Sequence, residues 1–229
     1  MIRDVTTVKD RVPVKHAFIT LFNKTGSETL VEELFEICPG LIVFSSGGTY
    51  AYLKKHFTGT KRVSQLVDVS DYTGMPETDG GLVKTLHHKM FLGYLTETFS
   101  ELHNADLKRE NAVPIDLVIV DLYPFDKVVS NPESSIEQCR GNIDVGGPSA
   151  LRAAAKNFLR VMTVPKYSPK GYAELLANLR NLNGNTDISN RIRGFQETFS
   201  VLAQYDSEVA QFANSVSLEN FKEVYDIMY

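Results

Sequence analysis

The sequence predicts an α/β protein: a mostly parallel sheet with helices on both faces. Three observations carry that prediction. Short apolar runs rich in β-branched and aromatic residues alternate with amphipathic segments of helical period. The stretches between successive runs are long enough for crossover helices, which parallel strands require. The run Ile115 to Leu122 (IDLVIVDL) is almost continuously apolar, as expected of an inner strand covered on both sides.

In chain order, residues 1–13 are polar and read as a loosely held arm. Val14 to Phe22 is the first strand. After the turn Asn23-Lys24-Thr25-Gly26, Ser27 is placed to cap a helix carrying Leu30, Val31, Leu34 and Ile37 on one face. Leu41 to Phe44 is the next strand, and a helix runs from the Ser46-Gly47-Gly48-Thr49 loop to about Lys55. Arg62 to Val69 is a candidate strand. Helices are expected over Val83 to Leu95 and Glu97 to Arg109. Beyond the inner strand, Val161 to Val164 is a strand and Ser168 to Leu182 a helix with Pro169 in its first turn. From Ile188 to Asp226 the chain reads as helical, with Ile192, Phe195, Phe199, Leu202 and Tyr205 at helical spacing. There is no internal repeat.

Two joins between strand and helix stand out chemically. Ser45-Ser46-Gly47-Gly48-Thr49 offers small residues, hydroxyls and a helix N-terminus, a combination that cradles an oxyanion. It has neither the P-loop nor the Rossmann spacing, and helix capping alone would also account for it. Ile143-Asp144-Val145-Gly146-Gly147-Pro148 runs into the alanine-rich segment ending at Lys156-Asn157. Its glycines allow a ligand close to free amides at a helix start, although Gly-Gly-Pro is also ordinary turn chemistry. Asp121 and Tyr123 fall at the carboxyl end of the inner strand, where open α/β sheets bind ligands. A packed aromatic at the sheet edge is the other reading of Tyr123.

The 229 residues are 43% hydrophobic and 23% charged, which fits a soluble globular chain of one sizeable domain or two small ones. The net charge of −4 (24 basic against 28 acidic residues) argues against general attraction to nucleic acid or an acidic membrane. The two cysteines, Cys38 and Cys139, lack metal-site spacing. His87 and His88 are adjacent, so they face different sides of a helix and are not an i, i+4 metal pair. No metal site is expected. No apolar run has signal-peptide or membrane-span length, so a cytoplasmic location is expected.

Taken in order, Asn23 to Gly26, Ser46 to Thr49, Asp68 to Ser70, Thr73 to Glu77, Gly81 to His87, Leu122-Tyr123-Pro124-Phe125, Ile143 to Gly147 and Leu151 to Asn157 (LRAAAKN) form a known series. The series closely resembles the IMP cyclohydrolase domain of the bifunctional purine-biosynthesis enzyme (AICAR formyltransferase/IMP cyclohydrolase), from about Ala17 to about Asp206. The resemblance implies a methylglyoxal synthase-like three-layer fold, a single cyclohydrolase-like domain over 14–229 with extra C-terminal helices, and a homodimer. A formyltransferase domain is expected to be absent from this chain, which ends at Tyr229. The implied reaction closes the formamido-imidazole-carboxamide ribotide to IMP with loss of water, and needs no cofactor.

The resemblance also implies roles. Lys84 and Tyr123 would form a proton relay. Asp144 would hold the carboxamide and formamide, an amide near Gly146 would meet the oxyanion, and Lys156 would move a proton to the leaving water. Lys24, Thr25, Ser46, Gly47, Gly48, Thr49, Thr85, Asp121, Gly146 and Gly147 would bind the substrate. The chain departs from the resembled pattern at several places. Phe22 replaces a serine, Leu82 an arginine, His88 a proline, Phe91 a histidine, Asp121 an asparagine, and Val201-Leu202 a His-Thr pair. Most of these departures read as ligand-facing polar groups turned apolar. Two functions are therefore open at this level: a cyclohydrolase, or a non-catalytic module that binds a nucleotide or phosphorylated metabolite. A methylglyoxal synthase reading is weaker, because the motifs are those of the cyclohydrolase.

Overall fold

The computed structural model describes residues 5–228 except 77, 79–82, 84, 98 and 166–168. Its centre is a five-stranded sheet in the order β4-β3-β2-β5-β6, parallel throughout. The strands are β2 (His16–Leu21), β3 (Ile42–Ser45), β4 (Leu66–Asp68), β5 (Leu117–Asp121) and β6 (Met162–Val164). The period of two along each strand assigns its side chains to two cores. Ala17, Ile19 and Leu21 of β2, with Leu117 and Ile119 of β5, face one; Phe18, Val118 and Val120 face the other.

The first core is closed by α1 (Ser27–Ile37), α2 (Gly47–Phe57) and α9 (Pro169–Asn181). The second is closed by α3 (Val69–Thr73), α4 (His88–Leu95), α8 (Gly146–Lys156) and α10 (Ile188–Ser215). Three layers result, as expected from the alternation of runs. In α8 the small residues Ala150, Ala153 and Ala154 face the sheet, so the helix lies close to β5 and β6. The remaining helices α5 (Glu101–Arg109), α6 (Phe125–Val129), α7 (Ile136–Gly141) and α11 (Leu218–Lys222) lie outside these layers or at their ends. No described helix is long and apolar enough to cross a membrane.

Several boundaries differ from the sequence reading, each for a local reason. Ser27 does not cap α1: Gly26, with φ of 80°, precedes the helix, and the Ser27 hydroxyl donates to the Lys24 carbonyl. The candidate strand at Arg62 is a 3-10 turn over Lys61–Gln65, and only Leu66–Asp68 pairs in the sheet. α4 starts at His88, not Val83, because the His87 ring Nδ1 accepts the Lys89 N–H and caps the helix there. α5 starts at Glu101, with Ser100 accepting the His103 N–H.

The N-terminal segment is also held more firmly than expected. β1 (Val12–Pro13) pairs antiparallel with β7 (Asn185–Thr186). The buried guanidinium of Arg191 donates to the carbonyls of Lys9, Asp10, Phe158, Leu159 and Thr186. That cation thus ties the first strand, the start of α10 and the turn before β6 together. A second buried cation, Arg160, pairs with Asp116 at 2.9 Å and donates to the carbonyls of Gly93, Thr96 and Ile115.

Gly194 marks the seam between α10 and β6. A Cβ there would lie 2.5 Å from the Thr163 carbonyl oxygen, and one turn on the Thr198 hydroxyl donates to the Thr163 hydroxyl at 2.8 Å. Alanine would gain about 1 kcal/mol of helix propensity. The clash is with backbone, which cannot swing away, so overpacking of about 1–3 kcal/mol dominates. Gly194→Ala is expected to lower the melting temperature in calorimetry by several degrees, at roughly 2–4 °C per kcal/mol.

Candidate active site

A cleft of about 400 Å3 opens at the carboxyl ends of β2 and β5. Four segments line it: Thr20 to Phe22 with Lys24, the start of α2, the end of β5 through Tyr123, and the loop 141–147, with Thr85 between. The location is the one that the sheet topology favours. A smaller cavity of about 140 Å3 beneath residues 5–9 contains none of the residues expected to catalyse or bind substrate.

One end of the cleft is built to receive an anion. α2 begins after Ser46 with no side-chain cap, so its first amides are not satisfied by a side chain. Gly47 has φ of 51°, in the left-handed region. Lys24 lies across Gly48: a Cβ there would be 3.1 Å from the Lys24 Cε. The Lys24 ammonium donates to the Phe22 carbonyl at 3.1 Å. A cation and a helix N-terminus therefore converge on the same point. Thr49 serves differently from its sequence reading. Its buried hydroxyl accepts the Leu21 N–H at 2.9 Å and donates to the Leu21 carbonyl at 3.1 Å. That side chain is a strut locking the α2 start to the end of β2.

The other end is organised on Asp144. Its carboxylate accepts the Gly147 N–H at 3.0 Å, and the backbone amides of Tyr123 and Gly146 are near enough to favour its charged form. Burial pushes the Asp144 carboxyl above the ordinary aspartate range, and these amides draw it part of the way back. Gly147 must be glycine, because a Cβ would meet an Asp144 carboxylate oxygen at 2.6 Å and Leu122 at 2.7 Å. Gly146 lies against Thr85, whose hydroxyl would be 2.8 Å from a Cβ at that position. Behind Asp144, its own N–H donates to the Tyr205 hydroxyl of α10 at 2.6 Å.

Asp121 shapes the turn carrying Lys24. Its carboxylate accepts the Asn23 N–H at 3.0 Å, and its carbonyl accepts the Phe22 N–H at 3.2 Å. Tyr123 is exposed at the cleft mouth, with Phe22 edge-on to it at 5.3 Å between ring centroids.

The structure thus brings together Lys24, Ser46, Gly48, Thr49, Thr85, Asp121, Tyr123, Asp144, Gly146 and Gly147, with Gly47 in the same turn as Gly48. Two predicted residues are elsewhere. Thr25 is exposed outside the lining, with its N–H donating to Asn23 Oδ1. Lys156 is exposed at the last turn of α8. Ten residues of helix put it about 15 Å along the axis from Gly146, so it does not reach this cleft. Lys84 lies outside the described residues, as does Leu82. Of the other departures, Leu202 is buried in the second core and Phe91 packs against it. Val201 is half-buried and does not line the cleft. Among the described departures Phe22 and Asp121 line it, and the positions of Phe91, Val201 and Leu202 correct their reading as ligand-facing. Sequence reasoning missed Tyr205: it is 61 residues from Asp144, and only its place in a helical stripe was legible. Among the described residues, no group of His, Cys, Asp and Glu is placed to hold a metal ion.

The chain is similar to several known proteins. A family model described as "AICARFT/IMPCHase bienzyme" matches residues 154–229. The bifunctional purine biosynthesis protein PurH of Rippkaea orientalis is 35% identical over 204 residues, covering 89% of this chain and 38% of that protein. The PurH of Rhodopirellula baltica is 37% identical over 205 residues, covering 90% of this chain and 37% of that protein. The chain is related to the AICARFT/IMPCHase bienzymes. It spans 38% of the length of the first of these PurH relatives. A solved structure, that of ForH, superposes with a TM-score of 0.71 at 28% identity, over 86% of this chain and 97% of that one.

The Tyr205 contact generates a direct test. Tyr205→Phe leaves the half-buried Asp144 N–H without its acceptor, at a cost of about 1–3 kcal/mol. Denaturant unfolding should show a lower midpoint with an unchanged slope.

Proposed function

We propose that this chain is an IMP cyclohydrolase of de novo purine biosynthesis, closing the formamido-imidazole-carboxamide ribotide to IMP. The observation that carries the reading is the two-ended cleft: Lys24 over the open start of α2 at one end, and a backbone-held carboxylate, Asp144, at the other. The likeness to the AICARFT/IMPCHase family model and to the PurH relatives supports it.

The substrate is a phosphate joined through ribose to a flat heterocycle. Its phosphate binds at Lys24, Ser46 and the amides of Gly47 and Gly48. Its carboxamide and formamide lie beside Asp144. The carboxamide nitrogen forms a bond to the formyl carbon. Water then leaves with the formyl oxygen, one proton from the carboxamide nitrogen and one from the formamide nitrogen. An amide is a poor nucleophile, so orientation and proton acceptance dominate the catalytic demand. Asp144 meets both: its carboxylate accepts an N–H from the reacting amide, and its own position is fixed by backbone donors. Tyr123 and Lys84 relay the proton. The same proposal includes a homodimer in the cytoplasm, to be read from sedimentation and fractionation. Lys156 does not line the cleft of its own chain, and no step is assigned to it here.

Turnover of the formamido ribotide, followed by absorbance, tests the reading. The ionised Asp144 is the working form, and burial raises its pKa. Activity should therefore fall with decreasing pH from a point above the ordinary aspartate value of about 3.9. Asp144→Asn should cut turnover on the order of 10²–10⁴-fold and remove that acid limb. Binding of IMP without turnover by the unsubstituted protein would identify a nucleotide-binding module instead.

A further inference from the structure

We propose that Phe22 is a specificity-determining residue: with Tyr123 it forms an aromatic wall that stacks on the heterocycle of the bound nucleotide. The inference rests on the reading of the cleft as a ribotide site. Among the described positions where the chain departs from the resembled pattern toward apolar residues, Phe22 alone lines the cleft. There a phenyl ring stands in place of a serine hydroxyl.

The ring is 46% exposed and its T-shaped partner Tyr123 is 51% exposed, so an apolar surface faces solvent at the cleft mouth. Val145, 58% exposed, lines the same cleft from the loop 141–147. Apolar groups gathered at the edge of a polar cleft favour a ligand with a flat apolar face. Their position relative to the charged groups identifies that face. Lys24 and the α2 start hold the phosphate end, and the Phe22 carbonyl itself accepts the Lys24 ammonium. The Phe22 N–H is fixed on the Asp121 carbonyl. One residue therefore braces the phosphate-binding cation through its backbone and presents its ring toward the Tyr123 end. A nucleotide whose phosphate sits at Lys24 places its base, not its ribose, at that end beside Asp144. The aromatic wall adds affinity for any planar heterocycle, in place of the hydrogen bond a serine would offer to a particular edge.

Calorimetric titration of the full chain with IMP and with ribose 5-phosphate separates the terms. The unsubstituted protein should bind IMP more tightly than ribose 5-phosphate. Phe22→Ser should weaken IMP about tenfold, in the range of stacking on one aromatic ring, and leave ribose 5-phosphate within about twofold. Phe22→Tyr should retain IMP affinity. Equal loss of both ligands in Phe22→Ser would overturn the proposal, because the residue would then act only through the Lys24 turn. Unchanged IMP affinity would overturn it as well. Binding of ribose 5-phosphate and IMP with equal affinity by the unsubstituted protein would remove the aromatic wall but leave the phosphate end standing. Binding of neither would remove the ribotide reading and this inference together.

Discussion

The position of Asp144 is the constraint on which the cleft depends. A carboxylate this buried is tolerated only where donors surround it. Here the donor is the Gly147 N–H at the opening of α8, with the backbone amides of Tyr123 and Gly146 also favouring the charged form. Those groups cannot rotate away, so the carboxylate is fixed by the fold itself. The requirement propagates outward. Gly147 has no room for a side chain, α8 must be small-faced to lie close to β5, and Tyr205 must cross from α10 to accept the Asp144 N–H. The long C-terminal helix is thereby part of the site rather than an appendage to it.

The opposite end follows the same logic with the sign of charge reversed. Thr49 ties the start of α2 to the last residue of β2, and Asp121 ties the Lys24 turn to the last residue of β5. Two neighbouring parallel strands thus set the separation between the anion-binding end and the acid end. The buried cations play no part in that chemistry. Arg160 and Arg191 spend their donors on carbonyl groups and on Asp116, and close the side of the fold that carries the first strand.

The layers and the strand set were legible because their signals are local. An apolar run such as Leu117 to Asp121 and the stripe of α1 announce themselves within a few residues. The glycine joins were legible for the same reason, since few residues other than glycine fit them. What was not legible depends on partners distant in sequence. Thr49 read as a ligand-binding hydroxyl until its bonds to Leu21 were seen, and Phe91 and Leu202 read as altered ligand contacts until their burial was seen. Lys156 shows the limit of motif proximity: it shares a helix with the glycines but lies at the other end of it. The start of α4 was misplaced because a histidine cap is a weak sequence signal.

The most direct test of the account is a crystal structure of the chain with IMP bound. The account predicts phosphate density at Lys24 and the amides of Gly47 and Gly48, and the purine beside Asp144 with one face toward Phe22 and Tyr123. IMP bound away from this cleft, or bound in it with the purine at the Lys24 end, would contradict the account.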